Sequence, residues 1–197
     1  MLLKRLLFVL TFIILIAAFT YRNVEDNCVQ VIYESPPSEP VQIGEMVTYT
    51  SCGVPNQIDT SRKVWMDYRT ITDRTSDQWR LQRHATTDEN GLRRIDEFYM
   101  VAVGTYYAER CGEYITIVFE DGAWIDAIVA DIKQDAHTDP LNQYTPIGQN
   151  AGNVVEFIVD TDVLHPLAAI TGDVSPIGMP GNVIEILKEA ETYVVKG

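Results

Sequence analysis

The chain has 197 residues, a formal net charge of −13, 46% hydrophobic and 22% charged residues, which suits one ordinary core and excludes a disordered polymer. All 28 acidic residues lie after position 24 and no basic stripe offsets them, so nucleic acid is excluded as a partner.

Lys4 and Arg5 precede residues 6–19, LLFVLTFIILIAAF, an uncharged run in the charge-then-apolar order of an export signal. No small-x-small cleavage site follows Ala17 and Ala18. Residues 1–21 therefore read as an N-terminal membrane helix serving as a signal anchor, with a removable signal peptide as the alternative. The two cations hold that end in the cytoplasm, which puts the body outside the cell membrane, or secreted if the signal is cleaved. Cys28, Cys52 and Cys111 suit an oxidising exterior but cannot all pair within one chain. The reading pairs Cys28 with Cys52 and leaves Cys111 single, as a small buried residue.

Residues 22–62 mix short apolar pieces with Pro36, Pro37, Pro40, Gly44, Gly53 and Pro55, the punctuation of a stalk or a loosely packed edge segment. Residues 63–197 are read as one domain. Thr75 or Ser76 caps a short helix through Gln82, with Asp77 near its positive end. The rest is strand-like: FYMVAV from Phe98, then YITIVFE and AWIDAIVA flanking Asp121-Gly122 as a hairpin with a two-residue primed turn. NVVEFIV from Asn153, NVIEIL from Asn182 and TYVV from Thr192 add three more. Short strands with long connections and few helices predict a mainly β fold, a small closed barrel that hides its own edges.

Two aspartates end very apolar strands. Asp131 closes AWIDAIVA and Asp160 closes NVVEFIV, positions where burial by the strand can raise a carboxyl toward a useful acid/base value. The competing reading is that both simply bond loop amides. Asp135, His137 and Asp139 alternate as metal ligands could, but an EF-hand loop counted from Asp131 meets Ala136 and Asn142 where glycine and glutamate are needed. No metal or other cofactor is assigned.

The blocks MDYRTIT, TSDQWRLQ, TDENGLRR, VAVGTYY, ADIKQDAHTD and VVEFIVDTDVL, spread over about residues 63–187, resemble an uncharacterised exported family of Firmicutes. More remotely, the Ala-Val-Gly strand, the Ala-Asp strand end and the later strand ending in Asp are similar to the three-aspartate, double-psi β-barrel domains of lytic transglycosylases and wall-remodelling proteins. That resemblance implies a double-psi-like barrel, with Asp131 matching the aspartate that opens an Asp-x-Gly segment and Asp160 matching the later catalytic aspartate. The chain departs from the pattern in Ile132 and Lys133, which follow Asp131 where glycine is expected, and in a longer spacing to Asp160.

Two readings of function follow. In one, a barrel anchored outside the membrane cleaves the glycan of peptidoglycan, with Asp160 as general acid/base, Asp131 orienting it or the sugar, and Lys133 among the substrate-binding residues. Tyr106, Tyr107 and Tyr144 would then offer a sugar platform, while Trp124 is read mainly as core packing. In the other, a non-catalytic module binds wall polymer or an envelope protein and its aspartates are structural.

Overall fold

A computed structural model describes residues 28–32 and 45–194, so the expected helix over residues 1–21 lies outside the described residues. Among the described residues no helix is long and apolar enough to cross a membrane. The large sheet runs, neighbour by neighbour, β1 (Cys28–Ile32), β2 (Glu45–Gly53), β12 (Val183–Val194), β7 (Tyr114–Phe119), β8 (Trp124–Ile132), β6 (Phe98–Val103), β11 (Glu156–Val159) and β3 (Trp65–Asp67). β4 (Thr86–Thr87) pairs with β5 (Arg93–Ile95), which joins β6, while β9 (Thr145–Ile147) and β10 (Ala151–Asn153) form a separate pair. Two short helices accompany them, α1 (Asp77–Gln82) and α2 (Pro166–Thr171).

The fold is mainly β, as expected, but the closed, double-psi-like barrel is not formed. The sheet is open: among the described residues β1 pairs with β2, β3 pairs with β11, and these two edges do not meet. Closure is not needed to bury the central strands, because both of their faces are covered. Met100, Val101, Ala102 and Val103 are consecutive and all buried, the mark of a strand with protein on each side. Val101, Val103, Val129 and Phe157 face the main core, to which α2 and the segments flanking it add Leu164, Ala168, Val174 and Met179. Met100, Ile128, Ala130 and Ile158 face the other way and pack with Leu81 of α1 and with Met66 and Tyr68. Each large side chain buried this way stabilises the fold by about 1.5–3 kcal/mol.

Several local expectations are met and two are corrected. Ser76 caps α1, its Oγ accepting from the Trp79 amide at 3.1 Å, and Asp77 lies in the first turn. The β7–β8 hairpin forms, with Val118 opposite Trp124, but its turn holds three residues rather than two. The Gly122 amide donates to the Phe119 carbonyl at 2.9 Å, the Phe119 amide to the Ala123 carbonyl at 2.8 Å, and Gly122 has φ of +84°. That is a type I turn closed by a left-handed glycine, held also by the Asp121 carboxylate accepting from the Ala123 amide. The two strands expected from Asn182 and Thr192 are one strand, β12, which absorbs the polar interval as an irregularity between Glu189 and Glu191.

β2, from the segment read as a stalk or edge piece, pairs along β12 and so belongs to the same sheet. Cys52 on β2 is disulfide-bonded, Cys111 is free, and the β1–β2 register sets Cys28 opposite Cys52. Lys63, wholly buried, ties the loop before β3 to the loop before β12. Its Nζ donates to the Ser61 carbonyl at 2.8 Å and the Gly181 carbonyl at 2.7 Å, and burial pushes its pKa down to about 8.

Candidate functional site

Asp131 owes its direction to a bulge. Between β6 and β8 the register shifts by one residue, so that Val101 pairs with Val129 but Ala102 pairs with Asp131. The extra residue, Ala130, turns Asp131 onto the face covered by α1, where its carboxylate accepts from Gln78 Nε2 at 3.2 Å and from the Ile132 amide at 2.8 Å. On the opposite side of Ala102, β11 brings Glu156 into the same row. Burial raises the Glu156 carboxyl above its ordinary value, Lys133 opposes that rise, and the Asp131 charge adds to it. Lys133 is only 7% exposed, donates from Nζ to the Asn153 carbonyl at 2.5 Å, and is pushed down to about 8 by the same burial. Cys111 is raised to about 11, first by burial and then by the charges of Asp131, Asp77 and Glu113, which leaves little thiolate at neutral pH.

Asp160 belongs to a different group. It follows Val159 at the far end of β11, about 13 Å further along the strand than Glu156 at about 3.3 Å per residue. Its Oδ1 accepts from Arg69 Nη2 at 3.3 Å and from the Asp162 amide at 3.1 Å. The parallel pairing of β3 with β11 brings Asp67 alongside Val159, and Arg69 bonds Asp67 through two nitrogens at 2.8 and 2.7 Å while also pairing with Asp162. Hydrogen bonds from Arg69 hold the Asp67 carboxyl well below the usual range. The fold thus does not bring Asp131 and Asp160 together, and each carboxylate accepts from at least one backbone amide.

The segment after β8 is likewise built from local bonds. Asp139 is buried and accepts from the amides of Leu141, Gln143 and Tyr144, an aspartate organising its own turn. Among the described residues no group of three or more His, Cys, Asp or Glu side chains is arranged to hold a metal ion.

The aromatic residues are distributed in a way the sequence reading did not foresee. Tyr107 is fully buried and stacks edge-on against Tyr106 at 5.0 Å, and Tyr144 packs under Gly152 and against the main core. Trp124, read as core, is 66% exposed. It stands on the part of the sheet face that α1 leaves bare, together with Tyr114, which is 49% exposed and contacts Phe98 edge-on at 4.6 Å. Between them Thr116 donates to Asp126 at 2.7 Å across the β7–β8 pair. Tyr49, Phe98, Tyr114, Thr116 and Asp126 line a shallow cleft of about 250 Å³ on this face. The signal was present in the alternation: Asp126 shares parity with Trp124, and Thr116 with Tyr114, which marks both pairs as one solvent-facing side.

Comparison of the chain with models of known protein families, with curated proteins and with solved structures finds no match.

Proposed function

We propose that this protein is a non-catalytic module that binds a cell-wall glycan outside the membrane, to which its N-terminal apolar segment anchors it. The observation that carries the reading is the bare sheet face bearing Trp124 and Tyr114 with Thr116 and Asp126 between them. An exposed tryptophan on a sheet is apolar surface left unburied by folding, and a sugar ring offers it C–H groups on one face and hydroxyls at the rim. Asp126 and Thr116 supply the polar partners for those hydroxyls. The cleft on this face is shallow and lies on the sheet surface, which suits a polymer better than an enclosed small molecule. Cleavage of the same glycan draws less support, since Asp131 and Asp160 stand in separate clusters and Asp160 is held by Arg69.

The test is co-sedimentation of the detergent-solubilised full chain with purified peptidoglycan. Wild type is expected to sediment with the wall, and Trp124→Ala and Tyr114→Ala each to weaken binding about tenfold, the equivalent of about 1.4 kcal/mol. Equal binding by folded variants and wild type would overturn the assignment of this face. Soluble fragments released from the wall by wild type would instead favour the cleaving reading.

A further inference from the structure

A second cleft lies on the same side of the sheet but at the other flank of α1, between that helix and the single helical turn Tyr68–Thr70. It has a volume of about 390 Å³, within the range of small-ligand sites. Its charge is opposite to that of the molecule. In a chain of net charge −13 the cleft is lined by Arg69, Arg74 and Arg83, and none of its lining residues is acidic.

The three guanidiniums are not equivalent. Arg69 is already paired with Asp67, Asp160 and Asp162. Arg74 and Arg83 have no ion-pair partner among the described residues; Arg74 lies over the Trp79 ring at 5.5 Å, and the neighbouring Asp73 carboxylate is taken up by the hydroxyl and amide of Thr75. The apolar part of the lining is Ile71, which is buried, with the rings of Tyr68 and Trp79. Gln82 also lines the cleft. It is buried, its Oε1 is used by Arg93, and its Nε2 has no acceptor. A buried donor without a partner is destabilising, and an oxyanion bound beside Gln82 would supply an acceptor.

We infer that this cleft binds a small organic phosphate, its phosphoryl oxygens between Arg74 and Arg83 and its apolar body against Ile71 and the edge of Trp79. Two unpaired guanidiniums match a group of charge near −2 better than a singly charged carboxylate, and their planar forks fit its oxygens two at a time. The inference is independent of the glycan reading, because none of the residues on the Trp124 face lines this cleft.

Calorimetric titration of the detergent-solubilised full chain tests it, with phenyl phosphate, inorganic phosphate and benzoate as probes. Phenyl phosphate is expected to bind with a Kd below about 1 mM, and benzoate and inorganic phosphate each at least about fivefold more weakly, since one carries only a single charge and the other lacks a body. Arg74→Gln and Arg83→Gln, both exposed positions, are each expected to weaken phenyl phosphate about tenfold with the melting temperature unchanged, while Trp124→Ala binds as wild type does. Absence of saturable binding up to about 10 mM, equal affinity in the folded arginine variants, or benzoate binding as tightly as phenyl phosphate would each overturn the inference.

Discussion

Asp131 and Glu156 stand on either side of Ala102, one strand away in each direction and on the same face of the sheet. The two are distant in sequence, and strand pairing alone sets them in one row. Because Asp131 contributes to the raised Glu156 value, Asp131→Asn is expected to bring the Glu156 carboxyl back toward its ordinary range. Side-chain NMR titration reads this directly, and an unmoved Glu156 would mean that the two charges do not sense each other. The linkage has a sign: the folded state holds the Glu156 proton more tightly than the unfolded chain, so this group lowers stability as pH rises from about 4.5 through its folded value. Glu156→Gln should flatten that part of the melting profile.

Lys133 gives a slope of the opposite kind. Burial lowers its folded pKa to about 8 from an ordinary 10.5, so between those values the unfolded chain binds more protons and stability rises with pH. Lys63 acts in the same window. The gain from one such group is at most about 1.4 kcal/mol per pH unit. Lys133→Met is expected to remove part of the rise in melting temperature between pH 8 and 10, and a profile identical to wild type would place the Lys133 ammonium in solvent.

The cluster around Arg69 should matter most at neutral pH. Asp67 has a depressed folded value, so its contribution is present above the ordinary carboxylate range and lost as pH falls below it. Arg69→Gln leaves Asp67, Asp160 and Asp162 facing one another without a cation, and is expected to lower the melting temperature at pH 7 while narrowing the gap to wild type at acid pH. A gap that stays constant across the acid limb would contradict the electrostatic account. Asp160→Asn should lower the melting temperature in the same direction but less, since Asp67 keeps its two bonds to Arg69.

Gly122 tests the hairpin. No atom lies within 4 Å of where a Cβ would sit, so a substitution there meets open space and is opposed only by φ of +84°. Gly122→Val is expected to destabilise the protein by about 1 kcal/mol or more, and Gly122→Asn by less, because asparagine tolerates the left-handed region. Chemical denaturation of both variants measures the difference; a valine variant as stable as wild type would argue against the three-residue turn.

Features confined to a few consecutive residues were legible in the sequence. Ser76 and Asp77 announce the start of α1 because a helix cap is a hydrogen bond to an amide three residues on, and FYMVAV announces β6 because its burial on both faces demands an unbroken apolar run. The Asp121-Gly122 pair located a turn, though the choice between two and three residues depended on which carbonyls of β7 and β8 finally paired. Which strands became neighbours was decided only by the tertiary structure. β11 lies against β6 on one side and β3 on the other, a bulge at Ala130 turns Asp131 toward α1, and together these put Glu156 rather than Asp160 across from it. The same long-range choice left the sheet open and α1 over only part of one face, which exposed Trp124, while Tyr107 was buried in the main core on the other face. A side chain's direction along a strand follows from its own parity, but what it faces depends on strands far away in sequence, whose pairing is set by how well all the apolar faces can be covered at once.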